Sequence, residues 1–252
     1  MPRMNTSIFR AVWLTVLTSV GMLSGLAAQP APVPADEGER APTPPPTLPA
    51  DVKLTPLNPG KTLFLEKMAN GKRRVWVQAV VCLREGPLEV FLCKKNTKEH
   101  EAILSADIDA RDLHMALIVC GAKPGSPVQF VPTYQPANGS KVDVSIAMND
   151  KDGKLKQLSA REWIRNIRTK KDMDQLWVFA GSRFLKNPDD PKMPPYYTAN
   201  NGEIISLSNF VDSMLDLPVK SSRETADLLF EAQTEKIPPL ATTVYVILEP
   251  KE

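Results

Sequence analysis

Histidine and cysteine are scarce in this chain, which has two His and three Cys among 252 residues. Metal clusters and catalytic triads that need several imidazoles or thiolates therefore have few residues to draw on. Aromatic residues are also few, at 6%, and neither charge dominates, because 31 Lys and Arg stand against 29 Asp and Glu. Proteins that bind nucleic acid or anionic membranes usually carry a basic excess, so this balance argues against both classes.

The N-terminal segment has the order of parts that is typical of a secretory signal peptide. Two arginines precede or begin an uncharged apolar run over residues 11–27, whose end holds the small residues Gly25, Ala27 and Ala28. We expect residues 1–27 to be cleaved and the mature protein to be periplasmic or extracellular, with no stable membrane insertion. An uncleaved N-terminal anchor is the alternative, because the apolar run has the minimum length that spans a bilayer.

The segment over residues 28–51 differs sharply in composition from the rest of the chain. It holds eight prolines and no aromatic residue. Such a stretch cannot bury enough apolar surface to offset the entropy of ordering, so it predicts a disordered, proline-rich linker. Residues 52–252 have the size of one domain.

Apolar and polar residues alternate along several short segments, and each such segment predicts a strand with one buried face. The clearest runs over residues 74–83, and Asn70-Gly71 before it predicts a hairpin with residues 62–66. A turn over residues 84–87 predicts a second hairpin, between this strand and a strand over residues 88–92. Further strands are predicted at residues 142–148, 175–180, 203–207, 227–232 and 243–249.

Two segments predict helices. Asp107 is a suitable cap for a helix that runs to Cys120 with one apolar stripe. Ser159 and Glu162 have the spacing of a capping box and predict a second helix. Strands outnumber helices and are joined by tight turns. The predicted fold class is therefore α+β, a mainly antiparallel sheet with two or three short helices in a single domain.

The three cysteines permit at most one disulfide, which an exported protein would retain. In the predicted hairpin, Cys82 and Cys93 are out of register by roughly 13 Å along the strand. A disulfide needs Cα atoms within about 7 Å. Any bridge is therefore expected to involve Cys120, and three reduced, buried thiols are the alternative.

A metal centre is the chemistry that the few histidines would permit. His100, Glu101 and His114 could bind a single divalent metal in a hydrolase or an oxidoreductase. However, no H-E-x-x-H motif is present, and His114 lies in the predicted helix, away from its apolar stripe. We predict no cofactor and no catalytic residue, and we keep this metal-dependent enzyme as the alternative.

A proline-rich loop over residues 182–195 predicts a binding site, since long loops inside small domains are often functional. Aromatic residues at its base could stack on a sugar or a peptide, with polar partners nearby. The candidate ligand-binding residues are Trp177, Arg183, Tyr196, Tyr197 and Asn200. The alternative is that Trp177 and Phe179 are ordinary core residues.

Several short motifs occur in an order that resembles the YdjY domain family. They include Lys98-Glu99-His100-Glu101, Leu113-His114-Met115-Ala116-Leu117, the Gly121–Gly125 and Trp177–Ser182 segments, and Ile237-Pro238-Pro239.

The resemblance covers roughly residues 60–250. It implies an exported bacterial protein from a family of unknown function. The ferredoxin-like description of the family's namesake does not transfer, because an iron–sulfur cluster needs about four cysteines. We predict a non-catalytic binding or structural module whose partner is a cell-envelope protein or a carbohydrate.

Overall fold

Strands make up most of the regular structure in a computed structural model that describes residues 41–221 and 228–251. These residues fall within one structural unit, residues 36–252. The predicted signal peptide, residues 1–27, and the first half of the predicted linker lie outside the described residues. Within the described ranges, no helix is both long enough and apolar enough to cross a bilayer.

The described residues form seventeen strands, one α-helix and two short 3₁₀ turns. In chain order these are β1 (Leu54–Pro56), β2 (Leu63–Lys67), β3 (Arg73–Val81), β4 (Val90–Lys94), β5 (Ala102–Ala106), α1 (Ala110–Val119), β6 (Pro124–Ser126), β7 (Asn138–Gly139), β8 (Lys141–Asn149), β9 (Leu155–Ser159), a 3₁₀ turn (Ala160–Trp163), β10 (Ile164–Asn166), β11 (Trp177–Phe179), β12 (Phe184–Leu185), β13 (Tyr196–Tyr197), a second 3₁₀ turn (Thr198–Asn201), β14 (Ile205–Ser206), β15 (Leu215–Asp216), β16 (Phe230–Ala232) and β17 (Thr243–Pro250).

Eight of these strands close into a barrel. Their order is β3-β17-β8-β11-β15-β14-β4-β5, and β5 pairs back onto β3. The long strand β3 makes this closure possible, since its first half pairs with β2 and its end, Val80 and Val81, pairs with β5. Strand β17 covers the other edge of β3 over six residue pairs.

The core follows the alternation that the sequence predicts. The inward residues Val75, Val77, Ala79 and Val81 of β3 are buried together with Val144 of β8 in one large apolar cluster. The predicted hairpin at Asn70-Gly71 is confirmed, because β2 and β3 pair in antiparallel register around it. Periodicity therefore located these strands and their buried faces correctly.

The predicted fold class of α+β with two or three helices is wrong. The described residues hold a single α-helix, and the protein is mostly β with a closed barrel. The predicted second helix stops after one 3₁₀ turn, although the capping box of Ser159 and Glu162 does form. Ile164 then adopts an extended conformation and begins β10, which pairs with β16. Pairing with a distant strand outweighs the local helical pattern here.

The helix that does form, α1, begins two residues later than predicted. Asp109, not Asp107, is its cap, and the Asp109 carboxylate accepts a hydrogen bond from the Arg111 backbone N–H at 2.9 Å. The apolar stripe of the helix, including Leu113 and Leu117, is buried against the barrel core.

The predicted hairpin between the strands on either side of residues 84–87 is also wrong. Strand β5 lies between β3 and β4 and pairs in parallel with β4. This arrangement brings Cys82 beside Cys93, the pair that the hairpin register had separated. Cys82 donates to the Ala102 carbonyl at 3.1 Å, and the hydrogen-bonded Cys93 thiol, followed by burial, raises the pKa of Cys82. All three cysteines are unbridged.

The described part of the predicted linker contacts the barrel. Thr43 accepts a hydrogen bond from the Thr243 backbone N–H at 2.8 Å and donates one to the Ala241 carbonyl at 2.8 Å. Leu48 and Val52 pack against a cluster that includes Trp76 on the outer face of the sheet. Residues 43–52 therefore run along the barrel as a strap that covers this face.

Candidate functional site

A short β-hairpin carries the predicted binding loop. Strands β12 and β13 pair with Phe184 opposite Tyr197 and Leu185 opposite Tyr196. Directly opposed residues share one face of a sheet, so the hairpin has two different faces. Phe184 and Tyr197 stack with ring centroids 4.7 Å apart, whereas Leu185 and Tyr196 are about half exposed.

The exposed face of this hairpin forms one wall of a cavity of about 670 Å³, which we call the hairpin cavity. Its apolar wall consists of Leu185, Met193, Pro194, Pro195 and Tyr196. The opposite side is polar and comes from the end of β4 and the start of α1. Its residues are Lys94, Asp109, Arg111 and Asn200. The volume lies in the range of ordinary small-ligand sites.

Hydrogen bonds fix the polar side of the hairpin cavity. The Asn200 amide accepts from the Ala110 backbone N–H at 2.9 Å and donates to the Asp109 carboxylate at 3.0 Å. Arg111 also donates to Asp109, and this guanidinium holds the pKa of the Asp109 carboxyl well below its usual range. Lys94 donates to the Ile108 carbonyl at 3.2 Å. The charges at the start of α1 are therefore held in place before any ligand arrives.

A buried His–Tyr pair supports the hairpin from below. The Tyr197 hydroxyl donates to the Gly181 carbonyl at 2.9 Å, so it accepts from His114 Nδ1 at 2.8 Å. Burial lowers the pKa of His114, which favours this neutral imidazole. Gly181 has φ +90, and a Cβ there would lie 2.9 Å from Pro124 Cβ, so only glycine fits. His114 thus positions Tyr197 and does not face Glu101.

The structure brings together three of the five predicted ligand-binding residues. Tyr196, Tyr197 and Asn200 line the hairpin cavity. Trp177 lies elsewhere, fully buried in the core, where its indole donates to the Ser206 carbonyl at 2.8 Å. Arg183 is engaged by Asp212 and lines a separate surface pocket with Phe130 and Val131.

The residues of the alternative metal site do not meet. The His100 side chain is 76% exposed and its Nε2 lies 3.8 Å from Glu101, while His114 contacts Tyr197, Phe179 and Phe184. Glu101 is already paired with Lys98 at 2.6 Å. Throughout residues 41–221 and 228–251, no three His, Cys, Asp or Glu side chains are grouped closely enough to hold a metal ion.

Several residues of the hairpin cavity were missed by sequence reasoning. Asp109 carried one signal, since an aspartate before an apolar helical stripe is a typical cap. Lys94, Arg111, Leu185 and Met193 carried none, because each lies in a segment whose local pattern indicates only strand, helix or loop. Their convergence depends on how β4, α1 and the hairpin pack.

One comparison with known proteins gives a match. A family model described as the YdjY domain matches residues 67–249. No curated protein and no solved structure matches the chain.

Proposed function

The chain belongs to the YdjY domain family, and from this premise we propose that it is an exported, non-catalytic binding module. The observation that carries the proposal is the hairpin cavity, an apolar wall facing a fixed polar side. The export part of the proposal is supported by the signal-like order of residues 1–27. The module uses no cofactor, and its partner is a protein of the cell envelope.

The polar groups in the hairpin cavity favour binding over catalysis. General acid–base catalysis needs a group whose pKa lies near the working pH. The pKa of Asp109 is shifted the other way, below its usual range, by Arg111. Asn200 and Lys94 are engaged in structural hydrogen bonds. Groups held this way orient a ligand but do not exchange protons with it.

The lining of the cavity favours a peptide over a carbohydrate. Sugar recognition needs polar side chains with spare hydrogen-bonding capacity, whereas Asp109 and Asn200 already bond to each other and to the helix start. The apolar wall holds Met193, and flexible Met side chains suit varied apolar partners. Lys94 and Arg111 opposite this wall suit acidic residues. We therefore propose an extended segment with apolar and acidic side chains as the ligand.

Tyr196 tests this proposal directly, because its ring is 47% exposed and its hydroxyl is held by Asn201 at 2.7 Å. We expect a labelled decapeptide of alternating Leu and Glu to bind the mature protein. The variant Tyr196→Ala should bind it about tenfold more weakly, which is about 1.4 kcal/mol and typical of one aromatic anchor. Fluorescence anisotropy measures the affinity, and the melting temperature should not change.

Phe130→Ala is the matched control, since Phe130 is an exposed aromatic residue outside the hairpin cavity. This variant should bind the peptide as the unmodified protein does. Equal weakening in both variants, or binding of cellohexaose in preference to the peptide, would contradict the proposal.

A further inference from the structure

A second cavity, of about 770 Å³, lies at the opposite end of α1, and basic residues dominate it. It is lined by Lys72, Arg73, Lys123, Lys141 and Lys251, together with a single acidic residue, Glu249. We call it the basic cavity. The full chain has an excess of only two positive charges. The basic cavity alone has an excess of four, so positive charge is concentrated here and balanced elsewhere.

The topology of the barrel creates this concentration. Strand β17 is antiparallel to both β3 and β8, so its end lies beside their beginnings. Arg73 begins β3, Lys141 begins β8 and Lys251 follows the end of β17. The turn after α1 adds Lys123 from above. Four separate segments therefore deliver cations to the same end of the barrel.

The interactions within the protein do not use up these charges. Lys251 pairs with Glu249 at 3.2 Å and with Asp143 at 3.4 Å. Among the described residues, Lys123 and Lys141 have no carboxylate within ion-pairing distance of their ammonium groups. Like charges placed together without counterions repel one another, which favours an arrangement that an anion completes.

The C-terminus of α1 explains only part of the cluster. Cations stabilise the partial negative charge at a helix end, and Arg73 donates to the Val119 carbonyl at 3.0 Å. That effect falls off within the last turn. It does not account for Lys141 and Lys251, which lie on the barrel strands.

We infer that the basic cavity binds a small anion that carries at least two negative charges on phosphate, sulfate or carboxylate oxygens. The volume is that of a small-molecule site, and Lys presents point charges that suit such oxygens. The surface is open, so the interaction is electrostatic and weakens as salt increases. This site is separate from the hairpin cavity, and its test does not depend on peptide binding.

Calorimetric titration of the mature protein with inorganic pyrophosphate and with citrate tests the inference. We expect at least one of them to bind at low ionic strength and to bind more weakly as salt is added. The double variant Lys123→Gln, Lys141→Gln should lose about tenfold in affinity, as two partly screened charge pairs are removed. Its melting temperature should stay close to that of the unmodified protein.

The double variant Lys154→Gln, Lys156→Gln is the control, because it removes the same charge from exposed lysines of the β8–β9 hairpin, outside the basic cavity. It should retain the affinity of the unmodified protein. The inference is overturned if neither anion binds, or if the two double variants lose affinity equally, since bulk charge would then explain the binding.

Discussion

Asp216 is a fully buried carboxyl group with one oxygen left without a partner. Its Oδ1 accepts from the Leu217 backbone N–H at 2.8 Å and from the Asn209 amide at 3.1 Å. Its Oδ2 has no hydrogen-bond partner within the described part of the chain. Burial raises the pKa of Asp216 to about 7 from its ordinary 3.8. The folded protein therefore retains a proton that the unfolded chain releases between about pH 4 and pH 7.

The sign of this shift makes the protein less stable as pH rises through that window. The free energy of unfolding should fall by up to about 4 kcal/mol between pH 4 and pH 8 through this group. Asp216→Asn should remove that fall, because an amide does not titrate. Urea unfolding at a series of pH values measures the difference. Asp152→Asn, at an exposed turn position, should keep the pH dependence of the unmodified protein, and an unchanged slope in Asp216→Asn would contradict this account.

At the scale of an element, the start of α1 depends on one carboxylate. Asp109 accepts from the Arg111 backbone N–H and from the Asn200 amide, so it joins the helix to the segment after the hairpin. We expect Asp109→Ala to lower the free energy of unfolding by about 1–2 kcal/mol, because a cap and a tertiary hydrogen bond are both lost. Chemical denaturation measures the loss.

Asp112 provides the comparison for this prediction. It lies in the same first turn and interacts only with the helix dipole and neighbouring charge. Asp112→Ala should therefore cost no more than about 0.5 kcal/mol. If both variants lose the same stability, the first turn acts through its charge and not through the cap of Asp109.

At the scale of the whole molecule, the last strand completes the barrel. Strand β17 pairs with β3 from Thr243 to Leu248 and with β8 from Tyr245 to Pro250. Its inward residues Val244, Val246 and Leu248 are fully buried. A chain that ends before Thr243 leaves two long strands with open edges and a gap in the core.

We expect truncation at residue 242 to abolish the cooperative unfolding transition and the near-ultraviolet circular dichroism of the folded protein. Truncation after Pro250 removes only the terminal ion pairs of Lys251 and should preserve both signals. A cooperative transition in the shorter chain would show that the barrel forms without β17.

Prediction of the candidate site succeeded where one segment supplied the residues. The proline-rich loop and its flanking tyrosines identified Tyr196, Tyr197 and Asn200, which do share a cavity. It failed for Trp177, whose ring the core takes up, and for Lys94, which reaches the cavity only through the packing of β4. Aromatic residues beside a loop look the same in sequence whether they face solvent or core.

The sequence by itself determined the local features of this protein: the alternating faces of β3 and β8, the hairpin at Asn70-Gly71, and the apolar stripe of α1. Each follows from side-chain periodicity or turn chemistry within about ten residues. Only the tertiary structure decided that β5 lies between β3 and β4, that the segment after Ser159 becomes a strand, and that the sheet closes. Strand pairing depends on the packing of residues far apart in the chain, and no local pattern specifies which edges meet.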